Sequence, residues 1–220
     1  MTIFFKSTRL DGTDFYSGQV DYASALASGE PLPELSGDVE FPGPGWYHLA
    51  TVPTECVGMS WPCRLFEVEP ADDLGGDRPR HEHKVGATSV RVLREIDAHV
   101  ALGPQGVQIA AFIERCATLT ADDVRRLVGA WVGARGTAWD TAWDAAWVGA
   151  WVGARGTAWV ATLDAAQGTA WVATRDATRG LLLRDLIGQR PGWDQAAYDL
   201  LTGPWRRTIG PIHPDDAEMK

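Results

Sequence analysis

Asparagine is absent from this sequence of 220 residues, and lysine occurs only at Lys6, Lys84 and Lys220, against seventeen arginines. Asn and Lys have AT-rich codons, whereas the abundant Ala, Gly, Arg and Trp have GC-rich ones. The composition therefore predicts a high-GC genome, such as that of an actinobacterium or of its phage. This bias concerns codons and indicates nothing about function.

Long apolar stretches are also missing. No uninterrupted apolar run approaches the roughly 18 residues that a membrane-spanning helix requires. The apolar stretch at the start of the chain, MTIFFKSTRL, is too short for the hydrophobic region of a secretory signal peptide. The three cysteines, Cys56, Cys63 and Cys116, are an odd number, which favours reduced thiols. We therefore expect a cytoplasmic protein of a bacterial host, without a membrane partner.

Positive charge is scarce. The formal net charge is −9, and residues 1–100 carry eight Lys or Arg against sixteen Asp or Glu, whereas residues 131–180 carry four basic and four acidic residues. Neither half has the basic excess that binding to duplex nucleic acid needs, so we predict no nucleic-acid partner. The acidic first half either meets a basic partner or mimics nucleic acid, or it serves solubility alone.

Familiar catalytic and metal-binding motifs are missing as well. The sequence contains no GxSxG, P-loop or GxGxxG pattern. His81 and His83 form an HxH pair that His48 and the loosely spaced cysteines could join, but no CxxC or HExxH accompanies them. The pair also stands among arginines and a lysine, whose charges disfavour a cation. We therefore predict no metal site.

The most specific feature that is present is a four-residue repeat in the second half. Tryptophans recur at multiples of four with Ala, Thr and Gly between them, and the string VGAWVGARGTAW at 128–139 returns at 148–159. A period of four suits a helix, because residues i and i+4 are neighbours on its surface. The repeat includes Trp131, Trp139, Trp143, Trp147, Trp151, Trp159 and Trp171.

These tryptophans cannot all press against one flat surface from a straight helix. With 3.6 residues per turn, a four-residue stripe rotates by about 40° per repeat. Either the tract breaks into shorter helices, with the ARGT strings at 134–137 and 154–157 as weak points, or the stripe meets partners on several sides. The tract therefore predicts a packing surface or a contact surface for a second copy or another protein.

The patterns predict an α+β fold class, in which a strand-rich domain precedes an α-helical tetrapeptide-repeat region. The predicted parts are an α/β domain, a linker with a short helix, the helical repeat, and a helical cap with a tail, at 1–100, 101–119, 120–180 and 181–220. Thr120 and Asp123 predict a capping box at the start of the repeat.

Finer elements follow from alternation and from turn residues. The predicted strands are 2–8, 15–20, 46–51, 64–69 and 88–96. The predicted helices are 22–28, 107–116, and one that starts at Pro191-Gly192 and stops at Gly203-Pro204. The predicted loops are 31–45 and 71–83.

Four strings of the first half carry a family resemblance. FFKST, GWYHLAT, RLFEVEPADD and TSVRVLREI resemble, in order and spacing, the small ADP-ribosyltransferase-like domains of the rifampin-modifying branch. They also resemble an uncharacterised domain family of phages and bacteria, and the Ala/Trp tract with its LTGPW ending resembles repeats in hypothetical actinobacterial and phage proteins. The first resemblance implies ADP-ribosyltransferase-like topology and NAD as cofactor.

The resemblance also implies a candidate site. Lys6 stands where the family has a His, Thr8 matches a motif Thr, and Tyr47 matches the tyrosine that stacks on nicotinamide. Asp72 or Asp73 would face the developing oxocarbenium. Lys6 could still donate to a ribose hydroxyl, although with a different shape. We therefore expect a non-enzymatic interaction protein that needs no cofactor, and the alternative is an NAD-dependent ADP-ribosyltransferase.

Overall fold

The structure, a computed structural model, describes residues 2–56, 60–71, 80–134, 140, 142, 170–189 and 191–217. The chain divides into two compact units, Met1–Ala101 and Leu102–Lys220. The first is built on an antiparallel sheet with one α-helix, and the described part of the second is helical. The predicted α+β fold class is therefore confirmed.

The sheet of the first unit has six strands. They are β1 Phe4–Thr8, β2 Tyr47–Ala50, β3 Arg64–Pro70, β4 Arg80–His81, β5 Lys84–Ala87 and β6 Val90–Ile96. Their order is β4-β5-β2-β1-β3-β6, and each neighbouring pair is antiparallel. The strands predicted at 2–8, 46–51, 64–69 and 88–96 are confirmed, with ends that differ by at most two residues.

Strand β3 lies inside the sheet and is buried on both faces. Its apolar residues Leu65, Phe66 and Val68 are inaccessible to solvent, although alternation predicts a half-buried strand. The difference arises at Glu67, whose carboxylate accepts two hydrogen bonds from the Arg94 guanidinium, at 2.7 and 2.8 Å. This cross-strand ion pair allows a polar position to be buried.

Helix α1, Tyr22–Ser28, confirms the helix predicted at 22–28, and it packs on one face of the sheet. Asp21 caps it by accepting a hydrogen bond from the Ser24 amide at 2.9 Å, and Gly29 ends it with a φ of 74°, a conformation that favours glycine. The core under the helix comprises Phe4, Tyr22, Ala25, Leu32, Tyr47, Leu49, Phe66, Val68, Val85, Ala87, Val90 and Val92.

Two predictions in the first unit are wrong. Residues 15–20 do not form a strand, because the Asp14 carboxylate accepts hydrogen bonds from the amides of Ser17 and Val20 and curls the chain into a turn. The loop predicted at 71–83 contains the short edge strand β4, which pairs with β5. Residues 72–79 of that loop lie outside the described residues.

The described helices of the second unit are α2 Gly106–Ala117, α3 Ala121–Ala134, α4 Ala170–Leu182 and α5 Gln195–Thr208. Helix α5 contacts both α3 and α4. The helix predicted at 107–116 is confirmed as α2. The capping box of α3 is confirmed too, because the Thr120 amide donates to Asp123 at 3.0 Å and the Asp123 amide donates to Thr120 at 3.2 Å.

Helix α5 differs from the prediction at both ends. It starts after Asp194, which caps it by accepting from the Ala197 amide at 2.9 Å, and it continues through Pro204 to Thr208. Proline within a helix removes one backbone hydrogen bond. Burial of Trp205, whose ring centroid lies 4.5 Å from that of Phe112, offsets this loss.

Part of the predicted repeat is described. Residues 121–134, 140, 142 and 170–180 are helical, and the remainder of the predicted helical tract lies outside the described residues. The same applies to five of the repeat tryptophans, which are Trp139, Trp143, Trp147, Trp151 and Trp159, and to the side chain of Trp171. Among the described helices, none has the length and apolar character needed to cross a membrane.

Candidate functional site

A cleft of about 310 Å³ opens in the first unit beside strands β1 and β2. The two strands share one register pair, Phe5 with Ala50, so their ladder is short. The charged, polar and aromatic residues that line the cleft include Lys6, Tyr16, His48, Glu55, Cys56 and Lys84. They come from β1, from the turn before α1, from β2 and the 3₁₀ turn after it, and from β5.

Lys6 is a half-buried cation of this cleft. It lies opposite Phe66 in the β1–β3 ladder. Its Nζ donates to the His48 carbonyl oxygen at 3.4 Å and lies 5.7 Å from the centroid of the Tyr22 ring. Burial lowers the pKa of the Lys6 ammonium, and the charge of Lys84 acts in the same direction, whereas Asp14 opposes the shift.

Asp14 is a buried carboxylate whose charge acts on Lys6. Its oxygens already accept hydrogen bonds from its own turn. It accepts from the Ser17 amide and hydroxyl at 2.7 Å each and from the Val20 amide at 3.1 Å. Burial alone would raise its pKa, but these bonds and the Lys6 charge lower it to about 2. Asp14 is therefore ionised at neutral pH and holds the turn in place.

His48 is held as a neutral imidazole. Its Nε2 lies 3.1 Å from the Gly43 carbonyl oxygen and its ring meets the Phe41 ring edge-on at 5.3 Å. A carbonyl only accepts, so Nε2 carries the proton. Burial lowers the pKa of His48, and the charges of Lys6 and Lys84 lower it further.

Cys56 and Glu55 form another part of the wall. Cys56 is buried, and burial raises the pKa of its thiol to about 12 although the charge of Lys6 opposes the shift. The thiol is therefore protonated at neutral pH and is a poor nucleophile. Glu55 ends the 3₁₀ turn Pro53–Glu55 and is half-buried.

Tyr16 lines the cleft and is 95% exposed. The neighbouring Phe15 is half-buried, and its carbonyl oxygen accepts a hydrogen bond from the Arg9 guanidinium at 3.0 Å. The hydrogen bond from Arg9 thus holds the backbone beside Tyr16, while the Tyr16 side chain is exposed to solvent. Such a ring can cover a planar ligand with little rearrangement.

The residues predicted from the family resemblance do not gather in one place. Lys6 lines the cleft. Tyr47 is buried in the core, where its hydroxyl donates to the Pro33 carbonyl oxygen at 2.6 Å, and Thr8 is buried with its hydroxyl donating to the Arg9 carbonyl oxygen. Neither lines the cleft, and Asp72 and Asp73 lie outside the described residues.

Sequence reasoning missed most of the cleft. His48 could have been found, because side chains alternate along a strand and an apolar role for Tyr47 and Leu49 places His48 on the other face. Lys84 carried a signal as well, since it is one of three lysines in the chain. Tyr16 was missed because residues 15–20 were predicted to form a strand, whereas they form a turn on which Tyr16 is exposed.

Trp131 is the repeat tryptophan whose side chain the structure describes. Its Nε1 donates to the Asp176 carboxylate at 2.6 Å, and the Arg175 Nε donates to the same carboxylate at 3.2 Å. Burial raises the pKa of Asp176, while the bonds from Trp131 and Arg175 oppose the shift. Trp131 thus makes a contact within the helical unit, between α3 and α4.

The described part of the chain contains no group of three or more His, Cys, Asp or Glu side chains that could hold a metal ion. Comparisons with protein families, with curated proteins and with solved structures gave no match. The chemistry of the cleft and of the helical contacts is therefore the basis for a functional proposal.

Proposed function

We propose that the chain is a non-enzymatic binding protein whose first unit holds a small anionic ligand in the cleft. One observation carries the proposal: two lysines, Lys6 and Lys84, line the same cleft together with the exposed ring of Tyr16. Two cations attract an anionic group, and an unpacked aromatic ring offers a face for a planar one.

The charge of the surroundings sharpens this argument. Residues 1–100 have twice as many acidic as basic residues, so an anion is repelled by most of the first unit. Two of the three lysines of the chain nevertheless line one cleft. A local positive site in an acidic domain selects ligands by short-range contacts, because salt screens charges beyond about 8 Å under physiological conditions.

The size of the cleft sets the size of the ligand. A volume of about 310 Å³ is at the lower end of the range for small-molecule sites. This volume suits one ring with one anionic substituent. A protein segment or a nucleic-acid strand would need a longer groove.

The other chemical groups in the cleft wall and near it favour binding over catalysis. The Cys56 thiol is protonated, and the Asp14 carboxylate is used by its own turn. Tyr47, to which the family resemblance assigns nicotinamide stacking, has its hydroxyl bound to Pro33 in the core. NAD-dependent ADP-ribosyl transfer remains the alternative, with Lys6 as its described candidate in the cleft.

Pyridoxine 5′-phosphate tests the proposal, because it combines one ring with one phosphate and has no reactive carbonyl group. We expect saturable binding by isothermal titration calorimetry. Lys84→Met should weaken the binding affinity about tenfold, which corresponds to roughly 1.4 kcal/mol. Tyr16→Ala should weaken it a few-fold. The matched control is Arg91→Met, which removes an exposed charge from β6. Equal affinity in the Lys84 and Arg91 variants, or no binding, would contradict the proposal.

For the second half we propose a role in packing or partner binding, with a second copy or another protein as the partner. The Trp131–Asp176 hydrogen bond supports packing within the unit. Light scattering after size exclusion over a hundredfold concentration range separates the two roles. A 23.9 kDa monomer with tryptophans protected from acrylamide indicates packing, whereas an oligomer that Trp147→Ala or Trp151→Ala dissociates indicates contact.

A further inference from the structure

We propose that the cleft captures a small aldehyde or ketone that carries an anionic group, and that the Lys6 amine binds it covalently as an imine. The proposal rests on the proposed function, because the anionic ligand must first enter the cleft. It adds the reacting group of the ligand and the atom of the protein that reacts with it.

The contacts of Lys6 leave its amine available. In the described part of the chain, Lys6 Nζ takes part in no ion pair within 4.0 Å, and its hydrogen bond to the His48 carbonyl oxygen is long, at 3.4 Å. A lysine held by a carboxylate would have to break that ion pair before it could react. Lys6 needs to release one long hydrogen bond and its position over the Tyr22 ring.

The surroundings of Lys6 also make its ammonium group easier to deprotonate, and the neutral amine is the nucleophile. Burial lowers the pKa of Lys6 and the charge of Lys84 lowers it further, against the opposing effect of Asp14. A desolvated lysine beside a second cation is a common arrangement for amines that form imines. The contacts of Lys6 and the charges around it therefore both favour Lys6 as the amine that reacts.

Lys84 has a different part in this arrangement. It starts β5, opposite Ala50 of β2, and it lines the same cleft as Lys6. The Lys84 ammonium group can hold a phosphate or carboxylate of the ligand while the carbonyl carbon of the ligand faces Lys6. The cleft thus requires two features in one molecule, an anionic group for Lys84 and a carbonyl group for Lys6.

The covalent step balances without any further reactant. The lone pair of neutral Lys6 Nζ attacks the carbonyl carbon, the C=O π electrons move to oxygen, and a proton passes from nitrogen to that oxygen to give a carbinolamine. The hydroxyl then takes up a proton, the nitrogen lone pair forms the C=N bond as the C–O bond breaks, and water leaves with the electron pair of that bond. Loss of the remaining N–H proton restores the proton balance and leaves a neutral imine. Water, or the Glu55 carboxylate in the cleft wall, carries the protons. Hydrolysis reverses each step, so the capture is reversible binding.

Reductive trapping on the full chain tests the proposal with pyridoxal 5′-phosphate as the probe. Borohydride converts its imine into a stable secondary amine, which peptide mass spectrometry locates. The three lysines of the sequence provide two reference sites in the same molecule. We expect at least tenfold more label on Lys6 than on Lys84 or Lys220 at pH 7, and a half-maximal labelling pH below that of Lys220.

Two variants complete the experiment. Lys6→Arg keeps the positive charge without a nucleophilic amine and should abolish the label, and Lys84→Met should slow labelling of Lys6 about tenfold. The wild-type comparison needs no variant, so the test does not depend on the folding of either. Equal labelling of the three lysines, or labelling mainly at Lys84, would overturn the proposal.

The probe also distinguishes the two proposals from each other. Pyridoxine 5′-phosphate should protect Lys6 from pyridoxal 5′-phosphate by occupying the same cleft. If pyridoxine 5′-phosphate binds but Lys6 is not trapped, imine capture is wrong and the binding function stands. If pyridoxine 5′-phosphate neither binds nor protects, the binding function itself fails.

Discussion

Two charged side chains, Asp176 of the helical unit and Lys6 of the first unit, differ in where their partners lie. In the helical unit, the Asp176 side chain is shielded from solvent and accepts hydrogen bonds from Trp131 and Arg175. In the first unit, Lys6 is half-buried beside an open cleft and has one long hydrogen bond to a carbonyl oxygen. A buried charge whose partners are internal stabilises one conformation, whereas one that faces a cleft is available to a ligand. This difference is why we assign the ligand to the first unit.

Asp216 extends the comparison to the tail of the chain. Its carboxylate accepts hydrogen bonds from the amides of Ile212 and His213 at 3.1 and 3.0 Å and from the Tyr198 hydroxyl at 3.0 Å. It thereby ties residues 212–216 to α5. Next to it, Arg184 donates to Asp215 at 2.8 Å. These contacts are directed inward, as expected for a structural role.

The largest effect should come from Asp216→Ala. The substitution leaves the buried Ile212 amide, the part-buried His213 amide and the buried Tyr198 hydroxyl without their acceptor, and each such loss costs about 1 kcal/mol. We expect the free energy of unfolding to fall by about 3 kcal/mol in urea denaturation followed by circular dichroism. Tyr198→Phe, the matched control, removes one donor and should cost about 1 kcal/mol. A negligible loss for Asp216→Ala would mean that the inward network does not stabilise the unit.

Asp14 should make the stability of the first unit dependent on pH. The pKa of Asp14 is lowered to about 2 from the usual 3.8, so the folded state binds its proton less readily than the unfolded state. The resulting stabilisation, about 2 kcal/mol, is present above pH 4 and is lost as the pH falls through 2. Hydrogen exchange of the amides at 17–20 between pH 4 and 2 measures it. The same pH dependence in Asp14→Asn would show that another group is responsible.

Trp131→Phe tests whether Trp131 packs within its own unit. A smaller aromatic ring replaces the indole and the hydrogen bond to Asp176 is lost, and we expect a cost of about 1 kcal/mol from the lost hydrogen bond. Since the bond from Trp131 opposes the upward shift, the pKa of Asp176 should rise further. Val132→Ala is the control, because Val132 is exposed on the same helix. If Val132→Ala destabilised the chain as much as Trp131→Phe, the inward contact of Trp131 would not be its main role.

Periodicity predicted most of the elements because it follows directly from burial. The alternation of 64–69 predicted β3, and the capping box of Thr120 and Asp123 predicted the start of α3. Long-range packing accounts for the errors. Pro204 lies inside α5 where local preference predicts a helix end, because Trp205 beyond it is buried against Phe112.

The cleft was harder to predict than the fold, for a physical reason. Lys6, His48 and Lys84 lie on three strands that are far apart in sequence, and they meet only through the order β5-β2-β1 of the sheet. No motif spans such a set. Strand alternation places a side chain on a face, but the strand order decides which residues share it.

The last prediction is a negative result in a direct assay of ADP-ribosyl transfer. We expect no transfer of label when the purified protein is incubated with labelled NAD and a lysate of a bacterial host. Lys6 stands where the resembling enzymes have a His, and Tyr47 is buried with its hydroxyl on Pro33. Tyr47→Ala would remove a core side chain, so Lys6→Met is the better variant for this assay. Transfer that is lost in Lys6→Met but kept in Arg91→Met would place catalysis in the cleft and establish the enzymatic alternative.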